Sequence, residues 1–345
     1  MIILKLTELQ TILIIIISFF LLYIVFVFIL AYFIHKINFQ KRIDKYSYIE
    51  DKDYKYYKNL KLENYSFLSN KIKINGEIYF YDTKDNKDII IFSNGFNTTI
   101  KKYISEIEYL ASLGYTVYTY DYAGVGISEG KYFKGMPQSI INLEDCIKYV
   151  KTNNPNSKII LFGHSMGAYA SCNVLNLEDV NKVIAVSPFD NVEGVVADHV
   201  RNKIGKKIFL FLIIYRILLY FKFKSYSSFS TYKTFKSVNT KVLVIQGDND
   251  KTVLPDNFMN NMYYNQNAYI NYILLDNKHH FPLLSNEAMN YDLFLKHQIT
   301  ELKLKYNNKI PEDEIKQLNE NINYTLKYKL DEGVLNVIKK FLSEV

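Results

Sequence analysis

Short apolar runs alternate with segments of helical periodicity between residues 88 and 275, and this alternation limits the possible folds more than any other feature. The run 88-DIIIFS-93 is apolar at consecutive positions, as in a strand buried on both faces. Further strands are predicted at 115–122, 158–163, 182–188, 241–247 and 269–275, and helices at 100–113, 138–152 and 166–175. The pattern predicts an α/β fold, with a mostly parallel central sheet and helices on both faces.

An uncharged apolar segment precedes this region, at residues 12–34. About 20 apolar residues are enough for a helix to cross a bilayer core. A signal peptide would have a basic start, a shorter apolar run and a small-residue cleavage site. We therefore predict an uncleaved transmembrane helix at 12–34, with a signal peptide and a buried core helix as the alternatives. A juxtamembrane linker at 36–65 and a C-terminal domain at 66–345 would follow.

Charges beside the apolar segment indicate its orientation. Lys36, Lys41, Arg42 and Lys45 follow it, whereas Lys5 precedes it. The positive-inside rule then places the C-terminal domain in the cytoplasm, on a single-pass membrane protein. The whole chain has a net charge of +7, from 42 basic and 35 acidic residues, without a concentrated basic patch. A nucleic-acid partner is therefore not expected.

Three other segments carry predictions about the fold. The alternating stretch 71–81 contains Asn75-Gly76, which predicts a β-hairpin turning at that dipeptide. Residues 189–237 interrupt the strand-helix alternation and include an apolar, lysine-flanked stretch at 206–224. We predict a helical cap there, either lying at a membrane interface or packed on the core as an ordinary helix. A second, polar helical insertion is predicted at 284–330.

Gly163-His164-Ser165-Met166-Gly167 lies between a predicted buried strand and a predicted helix. In this context a G-x-S-x-G pattern indicates a sharp turn that exposes the serine hydroxyl. The backbone N–H of Met166 would then face a developing oxyanion at the helix N-terminus. The alternative is a chance match at a strand-helix junction, and partner residues are needed to decide.

A serine nucleophile needs a general base and an orienting acid. His279 and His280 both follow the predicted strand 269–275, while Asp248 and Asp250 follow 241–247, with Asp250 the better candidate. Loops at the carboxyl ends of parallel strands are where active sites gather in open α/β sheets. The turn after the first buried strand would supply a second oxyanion donor, since Gly95 permits close approach and the N–H of Phe96 would point inward.

Residues 66–345 resemble the α/β-hydrolase family of serine hydrolases. The resemblance rests on SNGFNTT (93–99), YDYAGVGISEG (120–130), LFGHSMGAYA (161–170), IQGDNDKTV (245–253) and NKHHFPLL (277–284). It implies Ser165 as nucleophile, Asp250 as acid and His280 as base, with Phe96 and Met166 as oxyanion donors and no metal or organic cofactor. His280 is preferred to His279 because the family's histidine commonly precedes an aromatic or small residue, here Phe281.

Within the family, the chain looks most like members with one N-terminal membrane span, and it resembles monoglyceride-lipase and lysophospholipase relatives. The resemblance implies cleavage of an acyl ester, of a lipid-like substrate such as a monoacylglycerol or lysophospholipid. A peptidase, a small-ester esterase, an acyltransferase and a non-catalytic binding protein are the alternatives. Ala123 stands where the family often has arginine and Asn94 where histidine is common, which puts the packing of these loops and the choice of substrate in doubt.

Overall fold

The computed structural model describes residues 2–43, 48–82, 88–204, 208–255 and 267–344. Residues 44–47 of the predicted linker and 205–207 of the predicted cap lie outside these ranges, as do 83–87, 256–266 and 345 of the predicted hydrolytic domain.

One eight-stranded sheet forms the centre of the described chain, in the order β1-β2-β4-β3-β5-β6-β7-β8. The strands are β1 (Lys61–Ser69), β2 (Ile72–Phe80), β3 (Ile89–Ser93), β4 (Thr116–Tyr120), β5 (Ile159–His164), β6 (Lys182–Val186), β7 (Lys241–Gly247) and β8 (Ile270–Leu275). The pairs β1–β2 and β2–β4 are antiparallel, and all other neighbours are parallel. The mostly parallel sheet predicted from the alternation is confirmed.

Helices cover both faces of the sheet. They are α1 (Ile2–Phe39), α2 (Ile104–Ser112), α3 (Gln138–Asn153), α4 (Met166–Asn173), α5 (Val192–Ile204), α6 (Ile208–Phe223), α7 (Thr231–Phe235), α8 (Asn286–Lys305), α9 (Glu312–Glu320), α10 (Tyr324–Lys327) and α11 (Glu332–Ser343). The predicted cap segment thus contains α5, α6 and α7, and the predicted insertion contains α8, α9 and α10.

Strand β3 shows why the central strands read as unbroken apolar runs. Ile89 and Ile91 belong to a core that also contains α3 and α4, whereas Ile90 and Phe92 belong to a core with α2 and α11. Successive side chains of a strand point to opposite faces, so a strand covered by helices on both sides has no solvent-facing position.

The predicted turn at Asn75-Gly76 is wrong. Both residues lie within β2, and the hairpin turns instead at Asn70 and Lys71, which have φ of 48° and 66°. A Cβ at position 76 would lie 2.4 Å from the Tyr65 ring and 2.3 Å from the Thr119 carbonyl oxygen. The glycine is therefore needed for close approach between strands rather than for a turn.

Helix α1 is longer than the predicted span, and its C-terminal part packs on the rest of the chain. Residues Thr7–Phe39 form one helix long and apolar enough to cross a membrane, with a mean hydropathy of 3.4. Val27, Ala31, His35 and Phe39 recur every fourth residue and are buried. Strand β1 starts at Lys61, so residues 61–65 of the predicted linker belong to the sheet.

Candidate active site

Ser165 lies at the tip of a tight turn between β5 and α4. Its backbone has φ 55° and ψ −115°, a strained combination for any residue with a Cβ. The Ser165 amide donates to the Val186 carbonyl oxygen at 2.8 Å, which fixes the turn against β6. The angles match the first central position of a type II′ turn, where glycine is normally found.

The two glycines of the motif allow backbone to approach backbone. A Cβ at Gly163 would lie 2.4 Å from the Gly167 carbonyl carbon, and a Cβ at Gly167 would lie 2.0 Å from the Ser93 carbonyl oxygen. Both distances are too short for any side chain. The motif is therefore required by the packing of α4 onto β3 and β5, as its strand-turn-helix context predicted.

His280, which is partly buried, pairs with the buried Asp250. The Nδ1–H of His280 donates to Oδ2 of Asp250 at 2.8 Å, and no described residue bonds to Nε2, which can therefore exchange a proton. The other carboxylate oxygen, Oδ1, accepts from the amides of Thr252 at 2.8 Å and Val253 at 2.9 Å. The side chain of Gln246 donates to Oδ2 at 3.0 Å.

These contacts control the charge of Asp250. Burial by itself would raise the pKa of Asp250, but the hydrogen bond and charge of His280, together with the Val253 and Thr252 amides, outweigh it and hold that pKa below its usual value. The carboxylate consequently stays ionised at neutral pH. It can orient the imidazole and stabilise an imidazolium that forms during reaction.

The alternative histidine and aspartate lie outside this pair. His279 is exposed, and its Nδ1 lies 3.2 Å from the carbonyl oxygen of Asn249. Asp248 is also exposed. The geometry therefore favours Asp250 and His280 over Asp248 and His279.

The predicted oxyanion turn follows β3 directly. Asn94 is fully buried, and its side-chain amide donates to the Thr98 carbonyl oxygen at 2.7 Å. Tyr122 donates its hydroxyl to the Asn94 carbonyl oxygen at 2.9 Å. Within the described ranges, the amides of Phe96 and Met166 have no hydrogen-bond partner. Both residues line the same cavity as Ser165.

That cavity has a volume of about 730 Å³, in the size range of small-molecule sites. Ser165 and His280 both line it. Most of the wall is apolar, from Met136, Phe189, Val195 and Val196 among others. Lys102 and Lys296 add positive charge, and the described lining contains no carboxylate.

His164 has a role that the sequence did not reveal. Its Nε2–H donates to the His280 carbonyl oxygen at 2.7 Å, so Nδ1 accepts the Tyr103 hydroxyl at 2.9 Å. The Tyr103 oxygen in turn accepts the Gly95 amide at 3.1 Å. Burial, and then the nearby His280, lower the pKa of His164 to about 3, so it remains neutral. One hydrogen-bond chain thus joins the oxyanion turn, the serine turn and the His280 loop.

The end of α1 was also not expected at the site. Ile34, Asn38 and Phe39 line the cavity, although the sequence indicated only a membrane role for this segment. No local signal distinguishes a helix end that lines a cavity from one that leads into a linker.

Residues 84–212 match a protein-family model described as "Serine aminopeptidase, S33". The matched stretch includes the Ser165 turn and the oxyanion turn. The esterase Pf2001 of Pyrococcus furiosus superposes with a TM-score of 0.55 at 19% identity, covering 77% of this chain and 98% of that one. This chain has the α/β-hydrolase fold.

Two curated proteins show shorter similarities to this chain. A protein named "Monoglyceride lipase homolog", from Monkeypox virus, is 29% identical over 122 residues, which is 32% of this chain and 41% of that protein. The uncharacterized protein RP471 of Rickettsia prowazekii is 31% identical over 81 residues, covering 23% of this chain and 34% of that protein. The chain thus spans less than half the length of each of these two relatives.

Proposed function

We propose that this chain is a membrane-anchored serine hydrolase that cleaves the acyl ester of a lipid-like molecule, such as a monoacylglycerol or lysophospholipid, with its catalytic domain in the cytoplasm. The observation that carries the proposal is the hydrogen-bonded Asp250–His280 pair, because His280 lines the same cavity as the strained Ser165. Residues 12–34 of α1 would form the membrane anchor.

In this mechanism Oγ of Ser165 attacks the acyl carbonyl carbon while Nε2 of His280 takes the hydroxyl proton. The Asp250 carboxylate holds the imidazolium that results. Amides of Phe96 and Met166 donate to the oxyanion, and His280 then returns its proton to the departing alcohol. A water molecule, activated by the same imidazole, hydrolyses the acyl-enzyme and restores Ser165.

The cavity supports a lipid-like substrate. Its lining is mainly apolar, so an acyl chain would be buried there with a favourable hydrophobic contribution. A curated relative named as a monoglyceride lipase homolog points to the same substrate class.

A peptidase with the same triad is the second candidate, because the family model is described as a serine aminopeptidase. Recognition of a free amino terminus normally needs an anionic partner for the ammonium group. The described lining offers two lysines and no carboxylate, which favours a neutral or anionic acyl ester over a cationic peptide end.

Activity-based labelling of the full-length protein tests the proposal. Wild type is expected to react with a fluorophosphonate probe and to hydrolyse p-nitrophenyl esters, while Ser165→Ala does neither. Ser228→Ala, at an exposed serine, is the matched control and keeps both. Labelling of Ser165→Ala at the wild-type rate would disprove the assignment of the nucleophile, and turnover of aminoacyl-p-nitroanilides in preference to monoacylglycerol would favour the peptidase.

A further inference from the structure

The C-terminal turns of α1 form part of the wall around Ser165. Ile34, Asn38 and Phe39 line the cavity together with Tyr215 of α6 and Val195 of α5. The same helix carries exposed apolar residues from Leu9 to Phe26. One continuous helix therefore combines a candidate membrane span with an active-site wall.

Several specific contacts hold this end of α1 in place. The Nε2–H of His35 donates to the Lys134 carbonyl oxygen at 2.8 Å, and its Nδ1 lies 3.3 Å from the Tyr215 hydroxyl oxygen. The Arg42 guanidinium donates to the carbonyl oxygens of Gly126 at 2.7 Å and Gly130 at 2.9 Å. These bonds tie both sides of residue 39 to loops of the catalytic domain, so Phe39 has a fixed position.

Phe39 connects α1 to the oxyanion turn. Its ring centroid lies 5.2 Å from that of Phe96 and 6.4 Å from that of Phe133, and the side chain is only 5% exposed. Phe96 is one of the two proposed oxyanion donors. A smaller or larger side chain at position 39 would therefore change the volume of the cavity next to Phe96.

The cavity also lies next to the end of the predicted membrane span. Ile34 is the last residue of the predicted span, and Phe39 lies about 8 Å further along the helix axis at 1.5 Å per residue. Helix α6 packs beside α1 and presents exposed Phe209, Ile213, Ile217 and Phe221. These side chains extend the apolar surface of α1 next to the cavity wall.

We infer that the end of α1 is the acyl-chain wall of the active site, and that Ile34 and Phe39 set the length of acyl chain accepted. This inference rests on the proposed function and deepens it. The membrane helix is then a specificity element as well as an anchor. Burying each additional methylene of the substrate against this wall favours binding, up to the length that the wall allows.

Full-length variants in detergent micelles test the inference with p-nitrophenyl esters from acetate to palmitate. Ile34→Trp fills the cavity, and the kcat/KM ratio of dodecanoate to acetate is expected to fall at least tenfold. Phe39→Ala enlarges the cavity, so the preferred chain should become longer. Ile37→Trp and Phe33→Ala are the matched controls, since these residues lie on the same helix but are 71% and 51% exposed.

A second measurement separates chain selection from folding. Labelling rates with fluorophosphonates bearing ethyl and dodecyl chains should shift in the same direction as the ester ratios, with thermal unfolding midpoints recorded for each variant. An unchanged chain-length profile in Ile34→Trp and Phe39→Ala, with normal labelling by the ethyl probe, would overturn the inference but leave the hydrolase assignment intact. Absence of labelling in wild type would instead contradict the proposed function.

Discussion

The Nε2–H of His164 donates a hydrogen bond of 2.7 Å to the backbone carbonyl oxygen of His280. The residue before the candidate nucleophile thus holds the backbone of the candidate base. The Ser187 hydroxyl donates to the same carbonyl oxygen at 3.2 Å. The Phe281 ring stacks on the His164 ring, with centroids 4.5 Å apart, and this contact fixes the orientation of the His164 imidazole.

Replacing His164 by phenylalanine should impair catalysis more than binding. Phenylalanine keeps a ring of similar size but removes the hydrogen bonds to His280 and Tyr103. Misplacing a catalytic group by a fraction of an ångström is costly, so we expect kcat to fall by about 10- to 100-fold with KM little changed. Tyr103→Phe, which leaves the His164–His280 bond intact, should have the smaller effect. Equal fluorophosphonate labelling rates in wild type and His164→Phe would contradict this positioning role.

His164 should also make stability depend on pH. Its pKa is about 3 in the folded protein, below the ordinary histidine value of 6.5, so the unfolded chain binds more protons between these values. The contribution of His164 to the free energy of unfolding is therefore fully present above about pH 6.5 and is lost as the pH falls towards 3. The loss is about 2 kcal/mol at pH 5. In urea unfolding at pH 7.5 and pH 5, His164→Gln should show a smaller drop than wild type. An identical drop would argue against a neutral buried imidazole.

The local chemistry of the sequence predicted much of this architecture. Apolar runs such as 88–93 indicated buried strands because no face of such a strand meets water. The spacing of Gly163 and Gly167 indicated the serine turn for a similarly local reason. Asn75-Gly76 was misleading because the glycine there is required by Tyr65, a residue on the neighbouring strand.

Local sequence patterns did not predict the contacts between segments that are distant in the chain. The hydrogen bond between His164 and His280 joins residues far apart in sequence, and the residue type at neither position predicts this contact. Phe39 likewise reads as one more apolar residue at the end of a long apolar helix. Its contact with Phe96 arises only when α1 docks on the loops after β3 and β4.

The two adjacent histidines should respond very differently to alanine. His280→Ala removes the imidazole that is bonded to Asp250, and kcat should fall by about 10³-fold or more. His279→Ala removes an exposed ring and should leave kcat within about twofold, as for most surface changes. Asp250→Asn should resemble His280→Ala, since it favours the wrong imidazole tautomer. Loss of activity in His279→Ala alone would reverse the assignment of the base.

Gly167 and Gly194 form a matched pair of helical glycines. A Cβ at Gly167 would lie 2.0 Å from backbone oxygen of Ser93, and β3 cannot move without breaking the sheet. Gly167→Ala should therefore lower the free energy of unfolding by about 3 kcal/mol or more and slow labelling of Ser165.

At Gly194 the nearest atom is a side-chain oxygen of Asn191 at 3.3 Å. Gly194→Ala should be neutral or stabilising by up to about 1 kcal/mol, because alanine favours helix. Equal effects would mean that α4 and β3 are not closely packed.

Because the backbone at Ser165 is strained, two inactivating substitutions at this position should differ in stability. Its φ of 55° and ψ of −115° suit glycine, and a residue with a Cβ costs about 1–3 kcal/mol there. Ser165→Ala removes the hydroxyl but keeps the strain. Ser165→Gly removes both, at a cost of about 0.5–1 kcal/mol from the more flexible unfolded chain.

The comparison of these two inactive variants measures the free-energy cost of the backbone conformation at position 165. Ser165→Gly should be more stable than Ser165→Ala by about 1 kcal/mol, although glycine is the poorer helix former. Neither variant should react with a fluorophosphonate, so any difference in urea unfolding midpoint reflects conformation alone. A more stable Ser165→Ala would mean that the turn is relaxed and that the position of Ser165 at the cavity wall requires no backbone strain.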